Sequence, residues 1–140
     1  MRALPNLIRL SKWALDEARR KVSDLETLKA SFRTEIGELD EELGREQHAA
    51  RGSMDSLITL QGYYQHVRER RGRLERSIAE IDAALERARE ETAEAYRELK
   101  KYETAMEYEK KRERAKVEKR EQTDLDEVGI DMHRRKRASA

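Results

Sequence analysis

The sequence has no cysteine, which removes disulfides, thiolate nucleophiles and cysteine metal sites together. That is compatible with a reducing cytoplasm. Proline occurs once and glycine six times in 140 residues, so chain-breaking residues are few. Aromatic residues make up only 5% and hydrophobic residues 36% of the chain, against 44% charged. A globular domain carries about 25% charged residues and nearly half apolar ones, so this chain cannot fill a thick core. Neither sign of charge dominates: 31 Lys and Arg face 30 Asp and Glu, and a net charge of +1 gives no general pull towards nucleic acid or membrane. No apolar run approaches the roughly 18 residues of a membrane span. The opening stretch from Met1 to Leu10 is interrupted by Arg9 and followed by Lys12 and Asp16. It is too short and too charged for a secretory leader.

Two kinds of chain have such a composition: a disordered one, or long helices sharing a narrow apolar seam. Disorder predicts no periodicity, and periodicity is what the sequence has. A first seam runs Leu4, Ile8, Ser11, Leu15, Ala18, Val22, Leu25, Leu28, Phe32, Ile36, Leu39 and Leu43. From Leu15 to Leu43 it covers 28 residues in eight steps, and 28/8 = 3.5. That mean keeps one stripe facing one partner in a left-handed coiled coil. Pro5 suits a first helical turn, where its missing N–H costs nothing. A second seam runs Leu57, Leu60, Tyr64, Val67, Arg71, Leu74, Ile78, Ile81, Leu85, Ala88, Thr92, Ala95, Leu99, Tyr102 and Met106. Its steps alternate three and four throughout, with only Arg71 and Thr92 off type.

Between the seams, Gly52 suits a left-handed helix end, Ser53 an N-cap and Asp55 the positive first turn of the next helix. Folding the chain back at Gly52 makes antiparallel partners add to a constant. Leu43 with Leu60, Ile36 with Val67, Phe32 with Arg71, Leu25 with Ile78, Val22 with Ile81, Ala18 with Leu85 and Leu15 with Ala88 all add to 103. The same sum sets Met1 opposite Tyr102, so the paired seam ends near Met106 after about 70 Å. The expected fold is all-α, a two-helix antiparallel coiled-coil hairpin with the second helix longer and overhanging. Its expected extent is 1–128, with helix 1 over about 5–50, a turn at about 51–54, helix 2 over about 54–125 and a flexible basic tail at 129–140.

Little here supports chemistry. His48, His66 and His133 lie far apart without metal-ligand spacing, and two paired helices offer no closed pocket to perturb carboxylates. Neither an enzyme nor a cofactor is expected. The overhang Glu107–Glu121, with twelve charges in fifteen residues, is either a solvated fraying helix or one that orders inside a partner. Tyr108 and Arg112 are its candidate contacts, and Arg134 and Arg135 those of the basic cluster beyond it. Flanking acids at Asp124, Asp126, Glu127 and Asp131 argue against a nucleic-acid arm. Trp13 lies off the seam, either packed beneath the later half of helix 2 or exposed for a partner. Tyr63 and Tyr64 are adjacent and cannot both face the seam; the reading puts Tyr64 in the core and makes Tyr63 a surface anchor.

Three stretches resemble the flagellar export protein FliJ family of type III export systems. They are LIRLSKWALDEARRKVSDLETLKASF, GYYQHVRERRGRLERSIAEI, and YETAMEYEKKRERAKVEKREQTDLDE followed by HRRKR. The resemblance implies a non-enzymatic protein of the bacterial cytoplasm, peripheral at the inner face of the cell membrane. It would bind the flagellar export ATPase, the cytoplasmic domain of the membrane export gate, and export chaperones. The family's partner face would fall early in helix 2, at Tyr63, Tyr64, His66, Val67 and Arg70. His66 and Arg70 stand where that family has apolar residues. The overhanging ends of both helices would enter or cap the ATPase ring, and helix 2 near the turn would engage the other partners. The alternatives are a generic homodimeric coiled coil and an acidic-surface or nucleic-acid binder acting through the tail.

Overall fold

The computed structural model describes residues 3–52 and 54–139. It contains two helices, α1 (Leu4–Ala49) and α2 (Met54–Ala138), and no strand among the described residues. They pack against each other as the expected all-α hairpin. The chain reverses where its backbone chemistry allows it to. The Ala50 N–H still donates to the Glu46 carbonyl at 3.0 Å, continuing the helical pattern, and Gly52 then turns with φ of 105°. A side chain would be strained there, so glycine at this position fixes the site of reversal. Asp55 sits in the first turn of α2, where the helix dipole favours an anion. Ser53, expected as the N-cap, and Met1, expected opposite Tyr102, lie outside the described residues.

By their contacts the residues group into two units, Trp13–Tyr96 and Met1–Lys12 with Arg97–Ala140. In the first, the seam is where periodicity put it. Leu15, Val67, Leu74, Ile81, Leu85 and Ala88 are buried, and Ala18, Val22, Leu25, Phe32, Ile36, Leu39 and Leu43 are half-buried. The layers Leu15/Ala88 and Ala18/Leu85 set a large side chain against a small one in alternation, which lets two helices interdigitate closely.

Within α1 one seam position differs from expectation. Leu28 is 45% exposed, while its neighbour Lys29 is half-buried. With Lys29 in place of Leu28, α1's seam alternates steps of four and three without a break, so geometry overrode hydrophobicity at this turn. Lys29 meets that demand by laying its methylene stem along the seam while its ammonium reaches Asp82 on α2. Replacing it with Leu exchanges an ion pair worth little for a buried side chain facing Leu74. Lys29→Leu is therefore expected to stabilise the hairpin by about 1 kcal/mol. The urea midpoint of helicity reads this; an unchanged or lower midpoint would mean that position 29 is not a seam position.

Charged side chains lace the flanks of the seam. Lys21 meets Glu91 at 3.3 Å and Arg89 meets Glu26 at 3.2 Å, while Arg70 pairs with Glu35 and Arg71 with Asp40. With the seam at heptad positions a and d, Lys21–Glu91 and Arg70–Glu35 join g positions and Glu26–Arg89 joins e positions. This is the pairing an antiparallel arrangement brings together. The partner numbers add to between 105 and 115, always above 103. Side chains lean towards the N-terminus of their own helix, so in an antiparallel pair the tips of long residues meet at higher sums than the seam itself. These residues are substantially exposed, so each pair adds little stability and serves mainly to fix register. Arg71, the charged residue at a seam position facing Phe32, is tied to Glu75 at 3.0 Å and to Asp40. Both contacts hold its pKa above the ordinary guanidinium value, led by the Glu75 hydrogen bond.

In the second unit, Leu4, Ser11 and Leu99 are buried, and Ile8, Tyr102 and Met106 are half-buried. Leu4 and Leu99 keep the sum of 103. Past Met106 the seam stops: Glu109 is half-buried, and every described residue from 110 to 139 is exposed. α2 nevertheless continues to Ala138, through residues expected as a flexible tail. The stretch has no proline, and Arg135, Lys136 and Arg137 in the last turn complement the negative end of the helix dipole.

Candidate partner-binding surfaces

α2 near the turn departs from the rest of the chain in composition. Residues 56–65 read SLITLQGYYQ and contain no charge, in a sequence that is 44% charged. The stripe rule needs only one of any two adjacent apolar residues, so the surplus faces solvent. Met54, Leu57, Ile58 and Tyr64 are all exposed. Met54, Leu57 and Ile58 were not among the residues expected to meet partners. The signal for them is nonetheless present: adjacent Leu57 and Ile58 cannot both face α1, by the reasoning applied to the two tyrosines.

The tyrosines themselves exchange roles. Tyr63, expected as a free surface anchor, is half-buried and donates its hydroxyl to Glu42 of α1 at 3.1 Å. Partial burial first, and Glu42 second, raise its pKa above the ordinary 10.0. Tyr64, expected in the core, is 40% exposed with the Arg68 guanidinium 5.0 Å from its ring centre. Its seam position lies close to the turn, where the facing residue Leu39 is itself only half-buried. Val67 is 3% exposed and belongs to the seam, so it offers no surface. Arg70 is committed to Glu35, and His66 is exposed. Of the five residues expected to form one face, only Tyr64 and His66 are exposed. A shallow cleft of about 380 Å³ beside the turn, between Glu46, Asp55, Thr59 and Tyr63, opens to solvent. No group of three or more metal-ligating side chains occurs among the described residues.

Trp13 on α1 is 65% exposed, the outcome that favours a partner over internal packing. On α2 beyond the seam, Tyr108, Arg112, Arg134 and Arg135 are all exposed. This arm also exposes Val117, Leu125, Val128, Ile130 and Met132; all but Ile130 fall off the continued heptad stripe and so escape a search for seams. Tyr102, at the end of the seam, donates to Glu98 on the same helix at 2.7 Å; this bond and partial burial raise its pKa.

An exposed surface of this kind, on a hairpin with one helix far longer than the other, is what the resembled family would present. A protein-family model described as Flagellar FliJ protein matches residues 1–138. The chain belongs to the FliJ family. Membership makes it a component of the flagellar export apparatus, in a family of non-catalytic proteins. No curated protein and no solved structure matches it. No helix of this FliJ family member is long and apolar enough, among the described residues, to cross a membrane.

Proposed function

We propose that this FliJ family protein is an adaptor of flagellar protein export with two working regions on one helix. The arm of α2 beyond Met106 binds the export ATPase. The uncharged, exposed face of α2 near the turn engages the cytoplasmic part of the export gate and the export chaperones. The protein works in the cytoplasm, peripheral to the inner face of the cell membrane. The observation that supports this reading best is the arm itself. More than seven turns of helix continue past the last seam residue, exposed at every described position from 110 onwards. A helix with no tertiary cover gains none of the packing that normally sustains helices in proteins. Its natural use is to be covered by another protein. The near-turn surface carries large apolar side chains without charge, as the desolvated centre of a protein interface requires.

A pull-down with the purified export ATPase tests the assignment of the two regions. The full chain is expected to retain the ATPase and a soluble fragment of the export gate. Truncation after Met106 is expected to lose the ATPase and keep the gate fragment, while Ile58→Glu should do the reverse. Retention of the ATPase by the truncated chain would refute the role of the arm. Failure of the full chain to retain any ATPase would remove the ATPase reading altogether.

A further inference from the structure

The arm carries an apolar stripe that the hairpin seam does not use. On an ideal helix of about 100° per residue, Val117, Leu125, Val128 and Met132 fall within about 80° of one another, their centre about 60° round the helix from that of the stripe that ends at Met106. All four are exposed. Gly129 lies beside them with open space where a side chain would stand, leaving a shallow groove bordered by Leu125, Asp126, Ile130 and His133.

The charges around this stripe are ordered along the helix. From Glu121 onwards acids come first, at Glu121, Asp124, Asp126, Glu127 and Asp131, and bases follow at Arg134, Arg135, Lys136 and Arg137. The pattern is complementary to its own reverse. If two arms pack antiparallel about the point between Val128 and Gly129, facing residues add to 257. Leu125 of one copy then meets Met132 of the other, Val128 enters the groove at Gly129, and Glu121 faces Lys136. On one flank Asp124 comes against Arg135, and on the other Asp126, which also accepts a hydrogen bond from Gln122 of its own helix at 3.3 Å, comes against His133. Both flanking pairs add to 259. That lies slightly above the seam value, as the ion pairs within the hairpin do. Acid meets base at each of these three contacts, and the one small residue lies where the backbones approach most closely.

We infer that the arm is a self-recognition surface: two copies of this chain associate through an antiparallel pairing of α2 centred on Val128 and Gly129. The contact is short and falls in the class of weak, transient interfaces, so the dimer is populated above roughly 10–100 µM. Its two-fold symmetry uses one patch twice, the commonest form of protein self-association. The inference does not rest on ATPase binding, and its test uses the chain alone.

Sedimentation equilibrium of the full chain at low salt is expected to show a monomer–dimer equilibrium. Leu125→Glu should weaken it at least about 30-fold, as loss of a central interface contact does. Asp124→Arg and Arg135→Asp should each weaken it about 10-fold, and the double variant should recover to within about 3-fold of the native value. Far-ultraviolet circular dichroism on each variant checks that helicity is kept. Orientation follows from cysteines placed in a chain that has none. Val128→Cys should crosslink to itself under mild oxidation. Val117→Cys should not, since the two copies of residue 117 would stand about 34 Å apart. A monomer up to about 1 mM would overturn the proposal and leave the stripe to a different protein. So would a dimer indifferent to Leu125→Glu, a double variant no better than its singles, or crosslinking through both cysteines, which would mark a parallel pair.

Discussion

Replacing Leu85 by Ala is expected to lower the stability of the hairpin by about 3 kcal/mol, enough to leave a chain with so thin a core partly unfolded. Leu85 is 3% exposed and fills the layer opposite Ala18. Because its partner is already small, the variant would set Ala against Ala. The helices cannot close the gap, since Val22 with Ile81 on one side and Leu15 with Ala88 on the other hold their spacing. Both the lost transfer energy and the residual cavity are therefore felt in full. Urea unfolding followed by helicity is the proper measurement; the single Trp13 is exposed in the folded protein and reports little. Leu28→Ala supplies the contrast. That leucine lies off the seam at 45% exposure, and its loss should cost at most about 0.5 kcal/mol. Equal losses at Leu85 and Leu28 would contradict the register. A loss below about 1 kcal/mol at Leu85 would mean that the seam is not packed as described.

The contrast between those two leucines marks what is legible in the sequence. A seam is a geometric object, and repeated steps of three and four announce it over many turns. The two-helix hairpin follows from residue spacing, and its reversal at Gly52, with the sum of 103, from the glycine and cap signals between the seams. At Leu28 the apolar residue suggests a seam position that would break the alternation; the helix keeps the alternation and buries the stem of Lys29. At Tyr63 and Tyr64 the residue type is the same and it is position that misleads: Tyr64 holds the seam step, yet Tyr63 is the half-buried one. A tyrosine can leave the surface by passing its hydroxyl to a carboxylate on the facing helix, and Glu42 is not identifiable as that acceptor from local sequence. Surfaces are the least legible. Val67 was expected to contact partners yet belongs to the seam, whereas Leu57, Ile58 and the stripe from Val117 to Met132 stand exposed. Nothing within a monomer's periodicity explains an apolar face with no partner in the chain, and such faces come to notice only once the internal seam has been accounted for.

A gain comparable to the loss at Leu85 is expected from Ala at Gly37, Gly44, Gly62 and Gly72 together. All four lie inside helices, and a Cβ added at any of them meets nothing within 4 Å. Each Gly in a helix interior costs about 1 kcal/mol relative to Ala, and well-separated sites add, so the fourfold variant should gain about 3–4 kcal/mol. The same substitution at Gly52 should act with the opposite sign, because its φ of 105° is strained for any residue with a side chain. If Gly52→Ala were neutral, or the four helical changes gave less than about 1 kcal/mol, helix propensity would not be what these glycines cost. Their distribution gives the experiment a functional edge. All four lie between residues 37 and 72, on the two sides of the turn, where Leu43 and Leu60 are only half-buried and Leu57 is exposed. This end of the hairpin is held more weakly than the layers around Leu85, and opening there involves the same stretch of α2 that carries the uncharged face. Should partners bind that face only after the turn end loosens, the fourfold variant would bind the gate fragment more weakly while unfolding at higher urea. Should they bind the closed hairpin, its affinity would be unchanged or improved, and the softness of the turn end would then be a cost in stability with no part in recognition.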